Sequence, residues 1–442
     1  MRILFVVTAF YPEQAIGAIR VTKFAKYLVK LGVDVSIISL APPPWASRDE
    51  TLKFEELRNL EWDVIDQSYL FKTLLLKARV AAVGSVSANS GKDMTQPSNA
   101  FKYKLRRHAH FFYTYAKALD WSKRVVKHVK SKYDGTKYDI IFCSFPSLAS
   151  PLAGSKLKKL GIGKKLAVDF RDPMSQSING PFGVGKYIQN SLLKETDITF
   201  HISEGVMKNV LGNSQNHNGL LLTNGFDLDD INAAKIGEEN RNSSKEIRFV
   251  YTGSLYGGKR DFSIFFEALS ELKNKGFDME LLSIDYAGPD GKILKKQAEK
   301  FQLHKNVIDN GILSRSDAVK LQEKSDICLL ATWNSNEEQG VLTGKVFEYF
   351  LLKKPVLSIV DGDLKGSEIS KVIRETGAGH CCEIANPMSL EHLVYWLSKN
   401  INRKMNDGII QSEYNRQLKN YDIENITSKL YEALNKELET AG

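Results

Sequence analysis

No stretch of the 442-residue chain reaches the ~18 consecutive apolar residues that a bilayer-spanning helix needs, so no segment is expected to cross a membrane. Cysteine is scarce. Cys143, Cys328, Cys381 and Cys382 lack zinc-ligand spacing, and three of them lie in or beside apolar strand-like runs, where thiols pack as small hydrophobes. A reducing compartment is implied. The opening Met-Arg-Ile-Leu-Phe-Val-Val-Thr-Ala-Phe-Tyr-Pro has too short an apolar run for a leader, is followed by Glu13 and shows no small-residue cleavage site, so it reads as a first buried strand. Gly-x-Gly-x-x-Gly is missing after that strand, which weighs against a nicotinamide or flavin cofactor. No metal-ligand constellation is evident either, since Asp-x-x-Asp at Asp169 and Asp172 is a weak signal alone.

Acidic residues are nearly missing from one segment. Between Phe101 and Lys132 stand ten lysines or arginines and a single acid, Asp120, so this segment carries the whole net charge of +9 and the rest of the chain is balanced. A globally basic nucleic-acid binder is therefore not expected. Phe101, Tyr103, Phe111, Phe112, Tyr113, Tyr115 and Trp121 are interleaved with those cations. Two readings follow. The segment suits a helix lying in the interface of an anionic membrane, and equally a helix whose aromatics pack on the core while its cations stay solvated. Just before it, Gly84 to Asn99 is rich in Ser, Gly and Asn and reads as a loop.

What the chain has in quantity is apolar content, 43%, arranged as alternating strands and helices. Ile3 to Val7, Val35 to Leu40, Ile140 to Ser144, Leu166 to Phe170 and Ile198 to Ile202 read as short buried strands, with helical periodicity at Ile16 to Leu31 and Ser191 to Glu195. The alternation restarts at Ile247 to Tyr251 and continues through Leu281 to Tyr286, Ile327 to Leu330 and Pro355 to Val360, with a helix at Phe262 to Asn274. An α/β fold of two doubly wound, Rossmann-like domains facing across a cleft is expected, with residues 1–228 forming the first, 229–245 a polar linker and 246–422 the second. Residues 423–442 read as an amphipathic helix that packs on its own domain or returns to the first.

In such sheets ligands bind at the carboxyl ends of strands, and the charged strand ends supply the candidates. After the first strand, Gly17 allows close backbone approach and Arg20 adds a cation. The fourth strand runs into Asp169-Phe170-Arg171-Asp172-Pro173, two carboxylates and a guanidinium where an ordinary loop has little reason to concentrate charge. In the second half Gly253-Ser254-Leu255-Tyr256-Gly257-Gly258-Lys259-Arg260 joins glycines to two cations able to neutralise phosphate. The most informative stretch is Gly344 to Leu357: a short helix opens with Lys345, carries Glu348 one turn on, and is stopped by Pro355 before an apolar strand. A cation at a helix N-terminus suits a diphosphate, and a carboxylate on the same face can accept both hydrogen bonds of a ribose diol.

Taken together, the opening strand with Gly17, Asp169 to Pro173, Leu222-Thr223-Asn224-Gly225-Phe226-Asp227, Gly253 to Lys259 and the helix bearing Glu348 resemble the GT-B fold glycosyltransferases, specifically the large family 4 of retaining nucleotide-sugar-dependent enzymes, over nearly the whole chain. The resemblance implies that Glu348 is the second glutamate of a paired-glutamate motif and holds the donor ribose, and that Lys259 meets the donor diphosphate. Two positions depart from the pattern. Gly340 stands where the first glutamate belongs, with Glu337 and Glu338 out of register, and Ser254 replaces a frequent arginine. Lys345 or Arg260 is then expected to supply the missing cation, with Gly340 and Thr343 close to the phosphates and transferred sugar. Arg171, Asp172 and Asp169 fall where relatives place polar residues beside the transferred sugar and acceptor, so Asp172 or Asp169 is expected to orient the acceptor and Arg171 to contact a phosphate or the sugar.

The implied activity is transfer of a sugar from a nucleoside-diphosphate sugar to a glycan or lipid-linked saccharide, with retention and without a metal cofactor, in surface polysaccharide synthesis at the cytoplasmic face of the membrane. A sugar-nucleotide epimerase or hydrolase of the same fold, or a non-catalytic nucleotide-sugar-binding subunit, are the alternatives.

Overall fold

The computed structural model describes residues 1–48, 55–74, 100–132, 137–172, 183–212, 218–230, 245–336 and 338–440, except the side chains of residues 16 and 100–107. The expected loop at 84–99, Pro173, Glu337, most of the expected linker and the first cations and aromatics of the basic segment lie outside this description.

The chain divides into two compact units, Met1–Ile202 with Val206–Leu222 and Thr427–Gly442, and Ser203–Gly205 with Thr223–Ile426. In the first unit seven strands, β1 (Arg2–Val7), β2 (Asp34–Leu40), β3 (Glu61–Ile65), β4 (Tyr138–Phe145), β5 (Gly163–Phe170), β6 (Ile198–His201) and β7 (Asn218–Leu221), form a parallel sheet in the order β3-β2-β1-β4-β5-β6-β7. Helices α1 (Ile16–Lys30), α2 (Ala100–Lys132), α3 (Ala149–Lys159), α4 (Val184–Glu195) and α5 (Glu204–Leu211, from Val206 onward in this unit) connect or cover the strands. The central strands are apolar without alternation because helices cover both faces of a parallel sheet. Ile3, Leu4, Phe5 and Val6 of β1 are all fully buried, with Ile3 paired to Val35 on one side and Ile140 on the other.

The described part of α2 decides between the two readings of the basic segment as far as its aromatics go. Phe111, Ala118, Trp121, Val125 and Val129 recur at helical spacing and are buried in the core of the first unit, and the Trp121 indole N–H donates to the Ile65 carbonyl at 2.9 Å. Burial of these side chains removes the apolar surface from water, which is what anchors the helix. Phe112 is 58% exposed, and the cations Lys123, Lys127 and Lys130 are exposed as well.

In the second unit β8 (Ile247–Thr252), β9 (Leu282–Ala287), β10 (Val307–Asp309), β11 (Ile327–Trp333), β12 (Val356–Asp361) and β13 (Gly379–Glu383) form a parallel sheet in the order β10-β9-β8-β11-β12-β13. Its helices are α6 (Ser263–Asn274), α7 (Gly291–Glu299), α8 (Arg315–Lys324), α9 (Lys345–Leu351), α10 (Glu368–Thr376) and α11 (Ser389–Asp407). The last helix, α12 (Ile423–Glu439), contributes to the first unit from Thr427 onward; Glu437 accepts from the Lys165 ammonium at 2.8 Å and from the Asn218 amide at 3.2 Å. In both sheets the strand order reverses direction beside the first strand, between β1 and β4 and between β8 and β11, and such a switch point opens a crevice at the carboxyl ends.

Two histidines, His201 fully buried and His380 half-buried, make acid stability predictable. Burial pushes the His201 imidazole down to about 4, against a smaller opposing pull from Asp169, and burial with His392 nearby pushes His380 down to about 4. A folded pKa below the unfolded value of 6.5 means that the unfolded chain binds the proton first. Both units therefore keep full stability above pH ~6.5 and lose it as pH falls toward 4, by about 3 kcal/mol per histidine at the acid end. Urea titrations between pH 7 and 4 are expected to show this loss, and His201→Gln to remove its share from the first unit.

Candidate functional site

The second unit holds a cavity of about 260 Å³ outside the carboxyl ends of β8 and β9, lined by Thr252, Gly253, Ala287, Gly288, Pro289, Ile312, Leu313, Arg315, Ala318, Val319, Gln322, Lys345 and Glu348. Ile312, Leu313, Ala318 and Val319 give the cavity apolar lining, while Lys345 and Glu348 from α9 and Arg315 and Gln322 from α8 bring polar groups to it. The Lys345 ammonium reaches the Thr252 hydroxyl at 3.4 Å, and the buried Gln322 amide donates to that same hydroxyl at 2.9 Å and to a Glu348 carboxylate oxygen at 3.4 Å. Gln322 thus orients Thr252 and Glu348 together, and its own amide oxygen has no partner among the described residues. The first turn of α9 is supported by Thr343, whose hydroxyl accepts from the Lys345 N–H at 3.5 Å.

Gly253 is required here for a reason other than ligand approach. Its N–H donates to the Ala287 carbonyl at 2.7 Å and its carbonyl accepts from the Tyr286 hydroxyl at 2.9 Å, so both backbone groups are engaged. A Cβ at position 253 would lie 2.6 Å from the Lys345 Cε, and φ is +130°. The glycine makes room for the Lys345 stem.

The rest of the cationic loop turns away from this cavity. Ser254 donates to Asp290 at 2.7 Å, and the same Asp290 oxygen accepts from the Leu255 N–H at 2.6 Å. Arg260 is buried and braces the loop through the Tyr251 hydroxyl and the Ser254 carbonyl, both at 3.1 Å, with its guanidinium 4.5 Å from the Tyr256 ring centre. Lys259 pairs with Glu338 at 2.7 Å and lies 3.8 Å from the Trp333 ring centre. Both members of that pair are well exposed, so the bridge itself contributes little. Gly340 has φ +78°, a conformation that strains a residue with a Cβ, and its carbonyl accepts from the Ser203 hydroxyl at 2.9 Å. A Cβ on Gly205 would fall 2.5 Å from the Gly340 Cα, so two backbones meet where a glutamate was expected from the resemblance.

In the first unit Asp169 ends β5 wholly buried and is gripped by Arg20, whose Nε and Nη2 donate to its two oxygens at 3.0 and 2.8 Å. Arg20 also donates to the Leu222 carbonyl at 2.5 Å and lies over the Phe24 ring at 4.5 Å. The Ser144 hydroxyl, at the end of β4, donates to Asp169 at 3.3 Å and accepts from the Arg171 Nε at 3.1 Å. The Arg171 guanidinium occupies the space where a side chain at position 17 would begin, which is why that position is glycine. Desolvation lowers the Arg171 pKa, and the attraction of Asp169 is opposed by repulsion from Arg20. Asp172 is exposed one residue further on. The structure therefore brings Gly17, Asp169 and Arg171 into one cluster in the first unit, and Gly253, Lys345 and Glu348 to one cavity in the second. Ser144, Gln322, Thr252, Arg315 and Asp290 were not singled out as functional residues by the sequence, because a hydroxyl, an amide or a lone charge inside a helix pattern carries no signal until its partner is known.

No protein-family model and no curated protein matches the chain. Solved structures do match. Sucrose-phosphate synthase from Thermosynechococcus elongatus aligns over 100% of both chains with a TM-score of 0.57 at 12% identity. The fold is GT-B. The N-terminal domain of trehalose-6-phosphate phosphatase from Candida albicans matches over 99% of this chain and 97% of its own, with a TM-score of 0.61 at 10% identity. S. aureus TarM, as a point mutant in complex with Fondaparinux, alpha-GlcNAc-glycerol and UDP, matches over 98% of this chain and 100% of its own, with a TM-score of 0.56 at 12% identity. UDP-N-acetylglucosamine 2-epimerases share this GT-B architecture as well. At these identities the likeness establishes the fold, and the chemistry has to be argued from the site.

Proposed function

We propose that the protein is a glycosyltransferase that takes a sugar from a nucleoside-diphosphate sugar and passes it, with retention in the manner of family 4, to a glycan or lipid-linked saccharide in surface polysaccharide synthesis. The observation that carries this reading is the cavity beside β8, where apolar side chains, two cations, Lys345 and Arg315, and the Glu348 carboxylate share a space suited to a nucleotide. The base lies against Ile312, Leu313 and Val319, the ribose diol donates to Glu348, and Lys345 faces the diphosphate. As the leaving diphosphate gains charge, Lys345 stabilises it without a metal cofactor. Lys259 joins the diphosphate by leaving Glu338. Of the two carboxylates expected to orient the acceptor hydroxyl, Asp172 is the exposed one and takes that role in the first unit, while Asp169 is buried with both oxygens held by Arg20.

Turnover separates this reading from its alternatives. With a panel of uridine, guanosine and adenosine diphosphate sugars, free nucleoside diphosphate is expected to appear only when saccharide acceptors are supplied, and to persist in excess chelator. Release without acceptor would indicate an epimerase or hydrolase, and binding with no release a non-catalytic subunit.

The place of work in this proposal is the cytoplasmic face of a membrane. No helix among the described residues is long and apolar enough to cross a bilayer, and support for peripheral contact comes from the exposed Lys123, Lys127 and Lys130 on α2. Each cation near an anionic surface contributes about 1 kcal/mol, so substituting all three with glutamine is expected to weaken association with anionic vesicles on the order of a hundredfold. Equal partition of the wild type onto neutral and anionic vesicles would remove this part of the proposal.

A further inference from the structure

Of the ten residues of α8, Gln322 alone is buried, so the position that this helix turns fully inward carries an amide where packing favours an apolar side chain. Its Nε2 donates to the Thr252 hydroxyl at 2.9 Å and to a Glu348 carboxylate oxygen at 3.4 Å. Both neighbours accept, so the amide has one orientation; turned over, it would set its oxygen against the carboxylate. In that orientation Gln322 Oε1 is buried with no hydrogen-bond partner among the described residues. Withdrawing this oxygen from water is unfavourable, and a methionine could fill the same volume without it. Packing of α8 does not account for the amide. Its hold on Glu348 does, because ordering a glutamate side chain costs entropy that a ligand would otherwise have to offset on binding. Thr252, which also meets the Lys345 ammonium at 3.4 Å, anchors the amide to the end of β8.

We propose that Gln322 is a positioning residue that sets the sugar selectivity of the nucleotide site: it holds the Glu348 carboxylate ready for both hydroxyls of a ribose, so that a ribonucleotide is preferred to its 2′-deoxy form. This deepens the transferase reading and rests on its placement of the ribose at Glu348. What it adds is a residue from a different helix, α8, acting through the carboxylate on α9.

The test is calorimetric titration of the full chain with uridine, guanosine and adenosine diphosphates, each beside its 2′-deoxy form, and with pyrophosphate as the ligand that lacks a ribose. For the base that binds, the wild type is expected to prefer the ribonucleotide about tenfold or more, the worth of one hydrogen bond to a charged group. Gln322→Met is expected to bring that ratio close to one and to leave pyrophosphate affinity unchanged. Gln322→Glu keeps the length and shape of the side chain but sets a carboxylate against Glu348, and is expected to do the same, so the result does not hang on the folding of one variant. In a Glu348→Ala background the ratio is already near one, and adding Gln322→Met is expected to change nothing further, as befits a residue that acts through Glu348. Where Glu348→Ala does weaken ribonucleotides, four outcomes overturn this proposal alone: a wild type that binds both sugar forms alike, the wild-type ratio retained in both Gln322 variants, pyrophosphate weakened as much as the nucleotides, or a further loss when Gln322→Met is added to Glu348→Ala. Ribonucleotide affinity unchanged by Glu348→Ala, or no nucleotide bound at all, removes the placement of the ribose and this proposal with it.

Discussion

Replacing Lys345 with alanine is expected to weaken nucleoside-diphosphate binding by about ten- to a hundredfold, the loss associated with a hydrogen bond to a charged group. The geometry makes this residue the cation that shares the α9 face of the cavity beside β8 with Glu348: its stem lies over Gly253, and its ammonium sits 3.4 Å from the Thr252 hydroxyl. Lys259→Ala is expected to cost less, because Lys259 stands outside that lining and must first leave Glu338 and the Trp333 ring. Glu348→Ala removes the ribose acceptor, so it should discriminate between ligands. It weakens nucleoside diphosphates and leaves pyrophosphate untouched, whereas Lys345→Ala weakens both. Calorimetry with uridine, guanosine and adenosine diphosphates measures each. Equal affinity of wild type and Lys345→Ala for all three would contradict the placement of the diphosphate.

The second large effect concerns stability of the first unit. Breaking a buried ion pair by removing one partner costs about 3 to 5 kcal/mol, because the remaining charge is stranded. Arg20→Met leaves Asp169 with Arg171 as its sole nearby guanidinium, and Asp169→Leu leaves two guanidiniums with no buried acid between them, so Asp169→Leu is expected to be the more damaging. The double variant Arg20→Met/Asp169→Leu is expected to recover part of the loss. Trp45, Trp62 and Trp121 belong to the first unit, and Trp333 and Trp396 to the second. Urea unfolding followed by tryptophan fluorescence in a Trp333→Phe/Trp396→Phe background therefore reads the first unit without averaging over the other. A purely additive double variant would show that the pair is not coupled.

Much of this architecture was legible in the sequence. Buried strands of a parallel sheet are continuous apolar runs, and β1, β2, β4, β5, β6, β8, β9, β11 and β12 all lie on runs that stand out. Strands at or toward the sheet edges did not. β3 reads Glu-Trp-Asp-Val-Ile and β7 Asn-Gly-Leu-Leu, each with mixed exposure, while β10 is three residues long and β13 begins with a glycine. The basic segment left two readings open for a different reason. Its cations announce themselves by count, but whether Trp121 and Phe111 face lipid or core depends on β3 and its neighbours, which sequence periodicity cannot supply.

The site was legible in proportion to how local it is. Lys345 and Glu348 lie one turn apart on α9, so their shared face follows from helical geometry. Gly17 and Gly253 were also visible, but their reason was not. Each makes room for a long basic side chain distant in sequence, Arg171 and Lys345, where the motif alone suggested room for a ligand. Gln322 and Ser144 were silent because their importance lies wholly in what they orient.

The central claim is that the cavity beside β8 binds a nucleoside-diphosphate sugar, and thermal shift of the full chain against a panel of such sugars tests it most directly. Binding to the folded state raises stability by mass action, about 2.7 kcal/mol at a hundredfold excess over Kd. The account predicts that at least one base family raises the melting temperature of the wild type and that Glu348→Ala abolishes the rise. A panel that stabilises neither, or one that stabilises both to the same extent, would contradict it.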